Sequence, residues 1–456
     1  MNPMPANKKI MVIMFPEWAA LNSTLALSRE LLNKGCHVTY VGSPVFERYI
    51  ADQDFMYKVF DFEGFFKKLL AINVDNFLRN RKNSKKITGR VQRFRMVVRM
   101  NEKTMTDLFR VIEELFSKDL PDLVLLDPFL WDFFPPLLRM RIPVVTLNFT
   151  LISNWNTTVP PVYSGIVPPV KLNLLSHARN LTAWSRLLFV QAVWDLWKYI
   201  VLRFCFGLSG IPSVKKSLRK QGRKLRRTEL HPKLDLPEIV LCPREFDFPH
   251  APQSKWRCYA GACVDSSRKE IPFNMGHINT GKPIVYCTLG SYSKEWKYRQ
   301  LLYGAVIGAI AERPGWQLIL QVAEEKDLDE FKPLPNNVFS AAWVPHMQVL
   351  PHTAIMICHG GFGTVKEALY FGIPLIVFPC DRDQPGYSAR VVYHHLGVRG
   401  NIKNITDREI NRLLDRVAND DLIRRSVKKM QRIFRGQEKC REGIEFIENI
   451  LNKVDD

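Results

Sequence analysis

Three short runs in the second half of this 456-residue chain combine residue types that can hold a phosphorylated, hydroxyl-rich ligand. They are Trp343-Val-Pro-His-Met-Gln-Val-Leu-Pro-His352, Ile355-Met-Ile-Cys-His-Gly-Gly-Phe-Gly-Thr-Val-Lys-Glu367 and Pro379-Cys-Asp-Arg-Asp-Gln384. In the second run an apolar strand ends at Cys358, and Gly360, Gly361 and Gly363 let the backbone come close to a ligand. A helix begins at once, and its free N–H groups and dipole favour a diphosphate. His359 and Thr364 add side-chain donors at the same end. Glu367, one turn further, can accept from ribose hydroxyls, and Trp343 offers a flat face to a base. Asp383 and Gln384 come from the next strand–helix junction and suit a sugar. Each feature alone has a plainer explanation: a tryptophan after a strand is core, Gly-Phe-Gly is a turn, and Asp-Gln caps a helix. In this order and spacing they point to one site for a nucleotide diphosphate sugar.

Such a site needs strands that end side by side and helices that start beside them. Apolar runs at Ile284–Leu289, Gln317–Val322, Val338–Ala342, Ile355–Cys358 and Leu375–Pro379 predict short buried strands with helical stretches between several of them. The helix Phe362–Phe371 closes at Gly372, and Ile373-Pro374 forbids its continuation. The first half repeats the pattern, with strands at Ile10–Phe15, His37–Gly42, Leu123–Asp127, Pro143–Thr150, Glu238–Pro243 and Cys258–Gly261 and a helix over Leu21–Asn33. Continuous apolar strands alternating with helices imply parallel sheets covered on both faces. The expected fold class is α/β, with two Rossmann-like doubly wound domains facing a cleft at the carboxyl ends of the strands. The expected boundaries are residues 1–264 for the first domain, with basic and aromatic helical insertions, and 265–282 for the linker. Residues 283–435 form the second domain, and 436–456 a C-terminal helix packing back on the first.

The net charge of +20 is unevenly spread. One cluster is Arg79, Arg81, Lys82, Lys85, Lys86, Arg90, Arg93, Arg95 and Arg99; another is Lys215, Lys216, Arg219, Lys220, Arg223, Lys224, Arg226 and Arg227. These blocks are either solvated helix faces or contacts for an anionic membrane surface or acidic substrate. Nucleic acid is not an expected partner, because no recognisable binding module accompanies the charge. The 9 cysteines form no CxxC pair and read as reduced, buried thiols, with no metal site. Lys8 and Lys9 precede an apolar run too short for a secretory signal, and Trp184–Phe206 is interrupted by Arg186, Asp195, Lys198 and Arg203. The expected location is the cytoplasm, with peripheral membrane contact as a further option.

The C-terminal runs resemble the signature of the UDP-glycosyltransferase superfamily. Asp383-Gln-Pro-Gly-Tyr-Ser-Ala-Arg390 is most similar to bacterial members, including those that glycosylate carotenoids, polyketides and macrolides. Phe15-Pro-Glu-Trp-Ala-Ala-Leu-Asn22, Glu245-Phe-Asp-Phe-Pro249 and Tyr286-Cys-Thr-Leu-Gly-Ser291 extend the resemblance, while residues 60–230 carry little of it. It implies the two-Rossmann GT-B fold and a nucleotide sugar, a UDP- or dTDP-hexose, as co-substrate with no other cofactor. It also implies inverting, metal-independent transfer to a hydrophobic small-molecule or lipid-like acceptor, with a helix N-terminus and His359 neutralising the leaving group. By the same resemblance Trp343 stacks on the base and Val344 offers it backbone groups. Ser291, His359, Gly361 and Thr364 hold the diphosphate, Glu367 the ribose, and Asp383 with Gln384 the sugar. Gly363 stands where some relatives have asparagine, so one side-chain contact is missing or replaced by backbone.

In the superfamily the base is a histidine in the loop after the first strand, oriented by a carboxylate after a later strand. Here the matching position is Ala20, preceded by Ala19, and the carboxylate position is Asp127. Three explanations follow. Asp127 or Glu17 serves as base; the acceptor is an acidic phenol or carboxylate that needs little help; or the chain binds sugar nucleotides as a non-catalytic partner or regulator. A sugar-nucleotide epimerase on the same fold is a further alternative, disfavoured by Asp383-Gln384 and by the aromatic stretch Trp184–Phe206. That stretch lines an acceptor pocket, lies on a membrane surface or is core.

Overall fold

The computed structural model describes residues 7–61, 102–130, 133–151, 155–206, 218–219, 221–222, 225–226, 233–291 and 293–455. The basic cluster from Arg79 to Arg99, and all of the cluster from Lys215 to Arg227 except Arg219 and Arg226, lie outside the described residues.

The first half builds a seven-stranded sheet. Its strands are β1 (Lys9–Ile13), β2 (His37–Gly42), β3 (Met56–Val59), β4 (Leu123–Leu126), β5 (Val144–Asn148), β6 (Glu238–Val240) and β7 (Arg257–Tyr259). Their order is β3-β2-β1-β4-β5-β6-β7, and every pairing is parallel. The second half builds a six-stranded sheet from β8 (Ile284–Thr288), β9 (Gln317–Gln321), β10 (Val338–Ala341), β11 (Thr353–Cys358), β12 (Leu375–Val377) and β13 (Gly397–Arg399). Its order is β10-β9-β8-β11-β12-β13, again wholly parallel. The central strands are buried along their length, as the all-apolar Leu123–Leu126 and the fully buried Ile284–Thr288 show. Parallel strands covered on both faces need such uninterrupted runs.

In each sheet the strand order reverses beside a central pair, β1 with β4 and β8 with β11. Loops leaving those strands diverge and leave a crevice at their carboxyl ends. Helix α1 (Trp18–Asn33) follows β1. It starts three residues before the expected Leu21, because Trp18, Ala19 and Ala20 join its first turn. Helices α2 (Glu47–Asp52), α3 (Glu102–Ser117) and α4 (Phe134–Arg139) flank the same sheet, and α5 (Leu174–Phe206) runs on from it. In the second half come α6 (Arg299–Ala311), the short α7 (His346–Val349), α8 (Phe362–Phe371) and α9 (Gln384–Tyr393). Helices α10 (Asp407–Asn419), α11 (Asp421–Gly436) and α12 (Arg441–Asp455) end the chain.

The two sheets are joined by more than the linker. Ile444, Ile447 and Leu451 of α12 share a core with Ala20, Leu27 and Leu31 of α1. A buried ion pair, Asp247 Oδ1 to Arg390 Nη2 at 2.6 Å, ties the end of the first half to α9. Burial alone would raise the Asp247 carboxyl, but Arg390 and the Tyr259 hydroxyl outweigh it and hold it below the usual range. Arg29 Nη2 meets Asp265 at 2.7 Å and anchors the linker to α1. Among the described residues no helix is long and apolar enough to cross a membrane.

Candidate active site

The loop between β11 and α8 is shaped by its glycines. Gly360 has φ +84°, a left-handed conformation that favours glycine. Gly361 caps α8 in an extended conformation, and a Cβ there would stand 2.3 Å from His359 Nε2. Gly290, after β8, has φ +72°, and its Cβ would stand 2.6 Å from His359 Cε1. Two loops from neighbouring strands thus clamp the His359 ring, with Trp296 edge-on at 5.1 Å. Burial lowers the His359 pKa to about 4, against a hydrogen bond to the Thr288 backbone. Burial thus favours the neutral imidazole, which offers a ligand a hydrogen bond rather than a fixed positive charge. Its Nδ1 is buried and makes no hydrogen bond.

Trp343, Val344 and Glu367 line a pocket of ≈ 80 Å³ beside the same loop. Trp343 is partly exposed, and Trp18 of α1 lies against it with ring centroids 5.4 Å apart. Glu367 differs from the expectation of a carboxylate left open to a ribose. Oε1 accepts from Arg268 Nη1 of the linker, and Oε2 lies 2.5 Å from His346 Nδ1. Arg268 also donates to Glu270 Oε1 from Nε (2.8 Å) and Nη2 (2.7 Å). Burial alone would raise the Glu367 carboxyl, but Arg268 and then His346 outweigh it and hold it far below the usual carboxylate range. Arg268 and Glu270 escaped the sequence reading, because nothing in Asp265-Ser-Ser-Arg-Lys-Glu270 marks the linker as a pocket wall; Trp18 and Ala19 stood there only in the Phe15–Asn22 resemblance, with no part in this pocket expected of them.

A larger cavity of ≈ 820 Å³ adjoins it. One wall carries Ser291, His359, Gly361, Gly363, Thr364, Asp383 and Gln384; Ser291, Gly363 and Thr364 border both cavities. The structure therefore brings all the expected donor-side residues to one connected region. Gln384 Oε1 accepts the N–H groups of Cys380 and Asp381, both at 3.0 Å, which leaves its Nε2 amide as the donor for a ligand. Burial raises the Asp383 carboxyl, against the Tyr387 hydroxyl that donates to Oδ2 at 2.9 Å. The same Tyr387 oxygen accepts from Leu151 N of the first half at 3.3 Å. Gly363 meets only Ala19, at 3.9 Å from an added Cβ, so the helix leaves room for a side chain there.

The opposite wall carries Phe15, Glu17, Phe129, Phe149 and Tyr163. Of the two candidate bases only Glu17, partly buried, reaches the cavity. Asp127 is fully buried and is not on its wall. Its Oδ2 accepts from Phe15 N at 2.9 Å and Oδ1 from Phe129 N at 2.8 Å, so it ties together the loops after β1 and β4. Burial pushes it up to about 7, against those two N–H bonds. Ala20 is likewise turned into the core, and Ala19 is the exposed residue bordering both cavities. Among the described residues, none of Trp184–Phe206 lines either cavity. Trp184 is core; Phe189, Trp194 and Trp197 face solvent. The aromatic lining comes instead from Phe15, Phe129, Phe149 and Tyr163 of the first half and Trp296, Tyr298 and Phe362 of the second.

Residues 314–445 match the C-terminal domain of the erythromycin biosynthesis protein CIII-like family. The chain is similar to a demethyllactenocin mycarosyltransferase of Streptomyces fradiae, at 25% identity over 72% of this chain and 63% of that protein, a little under two thirds of its length. It is similar to a 4'-demethylrebeccamycin synthase of Lentzea aerocolonigenes, at 25% identity over 80% of this chain and 82% of that one. A crystal structure of the kitacinnamycin glycosyltransferase superposes with a TM-score of 0.66 at 19% identity, covering 98% of this chain and 100% of that one, and shows the GT-B fold.

Proposed function

We propose that this chain, a glycosyltransferase of the GT-B fold, moves a hexose from a nucleotide diphosphate sugar to a hydrophobic small-molecule or lipid-like acceptor, with inversion and without a metal. A UDP-sugar is the favoured donor and a dTDP-sugar the alternative. The observation that carries the reading is the ≈ 820 Å³ cavity itself. Aromatic side chains and one carboxylate form its first-half wall, while a helix N-terminus and the Asp383-Gln384 pair form the other. The relative named as a demethyllactenocin mycarosyltransferase supports an acceptor of the natural-product class.

In this reading the diphosphate sits at the N-terminus of α8, with Ser291, Thr364 and the neutral His359 as further donors. Trp343 takes the base, and Asp383 with Gln384 Nε2 takes the sugar hydroxyls. Glu17 accepts the proton of the acceptor hydroxyl as that oxygen attacks the anomeric carbon. The bond from that carbon to the diphosphate oxygen breaks, and its electron pair leaves with the nucleoside diphosphate. The α8 N–H groups stabilise the charge that develops there.

The test is incubation with UDP-glucose or dTDP-glucose and a panel of hydrophobic alcohols, phenols and glycosides, with and without EDTA. Glycoside product in both conditions supports the proposal, and its anomeric configuration decides inversion. Isomerised donor points to an epimerase, and donor binding with no turnover to a non-catalytic partner; either result overturns it.

A further inference from the structure

Helix α5, roughly 50 Å long at 1.5 Å per residue, extends well past the contacts that anchor it. Its first turns are tied down. Ser176 N donates to Asn173 Oδ1 at 2.8 Å, Asn180 Nδ2 to Thr157 O at 3.0 Å and Trp184 Nε1 to Val159 O at 2.9 Å. Trp184 is fully buried. After it the helix presents large apolar side chains to solvent: Phe189 is 69% exposed, Val190 45%, Val193 49%, Trp194 53%, Leu196 58% and Trp197 46%. At about 100° per residue these fall in one stripe roughly 160° wide, on the side away from Trp184. Trp194 and Trp197 meet edge to face at 5.4 Å within it. A contiguous exposed apolar patch of this kind marks an interaction surface, and the enzyme cavities do not use it.

The charge around the stripe selects the occupant. Exposed Arg179 and Arg186 lie on the same side of the helix one to three turns earlier, and exposed Lys171 precedes it. Within Leu174–Phe206 the sequence sets Arg179, Arg186, Lys198 and Arg203 against Asp195 alone, in a chain of net charge +20. A second copy would bring the same positive charge and be repelled. Tryptophan and phenylalanine flanked by arginine suit the boundary between lipid headgroups and acyl chains.

We propose that α5 seats this protein on an anionic lipid bilayer, with the Phe189–Trp197 stripe at the headgroup–acyl boundary and Arg179 and Arg186 against lipid phosphates. The helix lies on the surface rather than spanning it. The buried first turns of α5 bond to Thr157 and Val159, a few residues before Tyr163 on the cavity wall, so the helix that carries the stripe is fixed to the segment that leads into that wall. The inference stands apart from the glycosyltransferase reading.

The experiment is co-sedimentation of the full chain with phosphatidylcholine vesicles, with and without phosphatidylglycerol, at low and high salt. The triple variant Phe189→Ser, Trp194→Ser, Trp197→Ser is run beside it. These side chains are exposed, so its circular dichroism and UDP binding are expected to match the parent. The parent should pellet with phosphatidylglycerol vesicles and less so at high salt, and the triple variant should partition about tenfold less. Tryptophan fluorescence of the parent should shift to the blue on those vesicles. Failure of the parent to pellet with anionic vesicles overturns the proposal, as does equal pelleting of the triple variant. So does a dimer in sedimentation velocity that the triple variant abolishes when neither protein binds vesicles. Loss of UDP binding in the parent would count against the donor site and leave this result unaffected.

Discussion

Trp18 at the start of α1 lies against Trp343 at the end of β10, with ring centroids 5.4 Å apart and planes tilted by 54°. Each half of the cleft thus contributes an indole to the smaller pocket. A base that stacks on Trp343 must meet Trp18 or move it aside. Trp343→Ala is expected to weaken UDP-glucose binding about fivefold to tenfold by calorimetry, the worth of an aromatic stacking contact. Intrinsic fluorescence should change on titration with UDP, and the change should shrink in Trp18→Phe. Unaltered affinity in Trp343→Ala would remove the stacking role.

The Arg268–Glu367 pair predicts both a stability and a pH effect. Glu367→Met leaves Arg268 with Glu270 alone, and Arg268→Met leaves Glu367 with His346 alone and strips Glu270 of its guanidinium, so Arg268→Met should cost the more, up to about 3–5 kcal/mol. The double variant should cost less than the sum of the two, because the Arg268–Glu367 contact can be lost only once. Arg268 holds the folded Glu367 carboxyl well below its unfolded value, against burial. Its contribution is therefore present above the unfolded value, about 4.3, and is lost as pH falls from there through the lower folded value. Denaturant midpoints of parent and Glu367→Met should converge toward acid; parallel curves would show that the pair contributes nothing.

Glu17 and Asp127 should separate cleanly. Glu17→Gln is expected to lower kcat by about 10²-fold or more with donor affinity unchanged, as for a general base. Asp127→Asn keeps one acceptor oxygen where two N–H groups are held, so it should cost about 1–2 kcal/mol. Burial raises folded Asp127 to about 7. Its favourable contribution is thus full below the unfolded value, about 3.9, and is lost as pH rises toward 7. Asp127→Asn should flatten that slope in thermal unfolding. A collapse of kcat in Asp127→Asn at unchanged stability, with Glu17→Gln fully active, would reverse the assignment.

Two neighbouring glycines should behave oppositely. Gly361→Ala pushes a methyl to 2.3 Å from His359 Nε2 and should weaken donor binding and turnover together. Gly363→Ala has only Ala19 near it, at 3.9 Å, and should raise stability by about 0.5 kcal/mol through the helix preference of alanine. Steady-state kinetics and thermal melts of the two variants check this. Equal tolerance at both positions would mean that the His359 ring has room to move.

The sequence by itself determined the strands of both sheets except the edge strands β3 and β13, the parallel pairing and the β11–α8 loop. Uninterrupted apolar runs such as Leu123–Leu126 and Ile355–Cys358 can be satisfied only between two covering layers. A glycine cluster before a helix constrains its own backbone. These are local effects, carried by residues a few positions apart. Tertiary structure alone decided what faces what. It turned Ala20 into the core and Ala19 to the cleft, buried Asp127 against two backbone N–H groups, and brought Arg268 from the linker onto Glu367. It also left the Phe189–Trp197 stripe in solvent. Each outcome depends on a partner far away in the chain, as Phe15 is from Asp127, or on which side of a helix meets a sheet. Long-range packing and desolvation set those terms, and neither is written in the spacing of neighbouring residues.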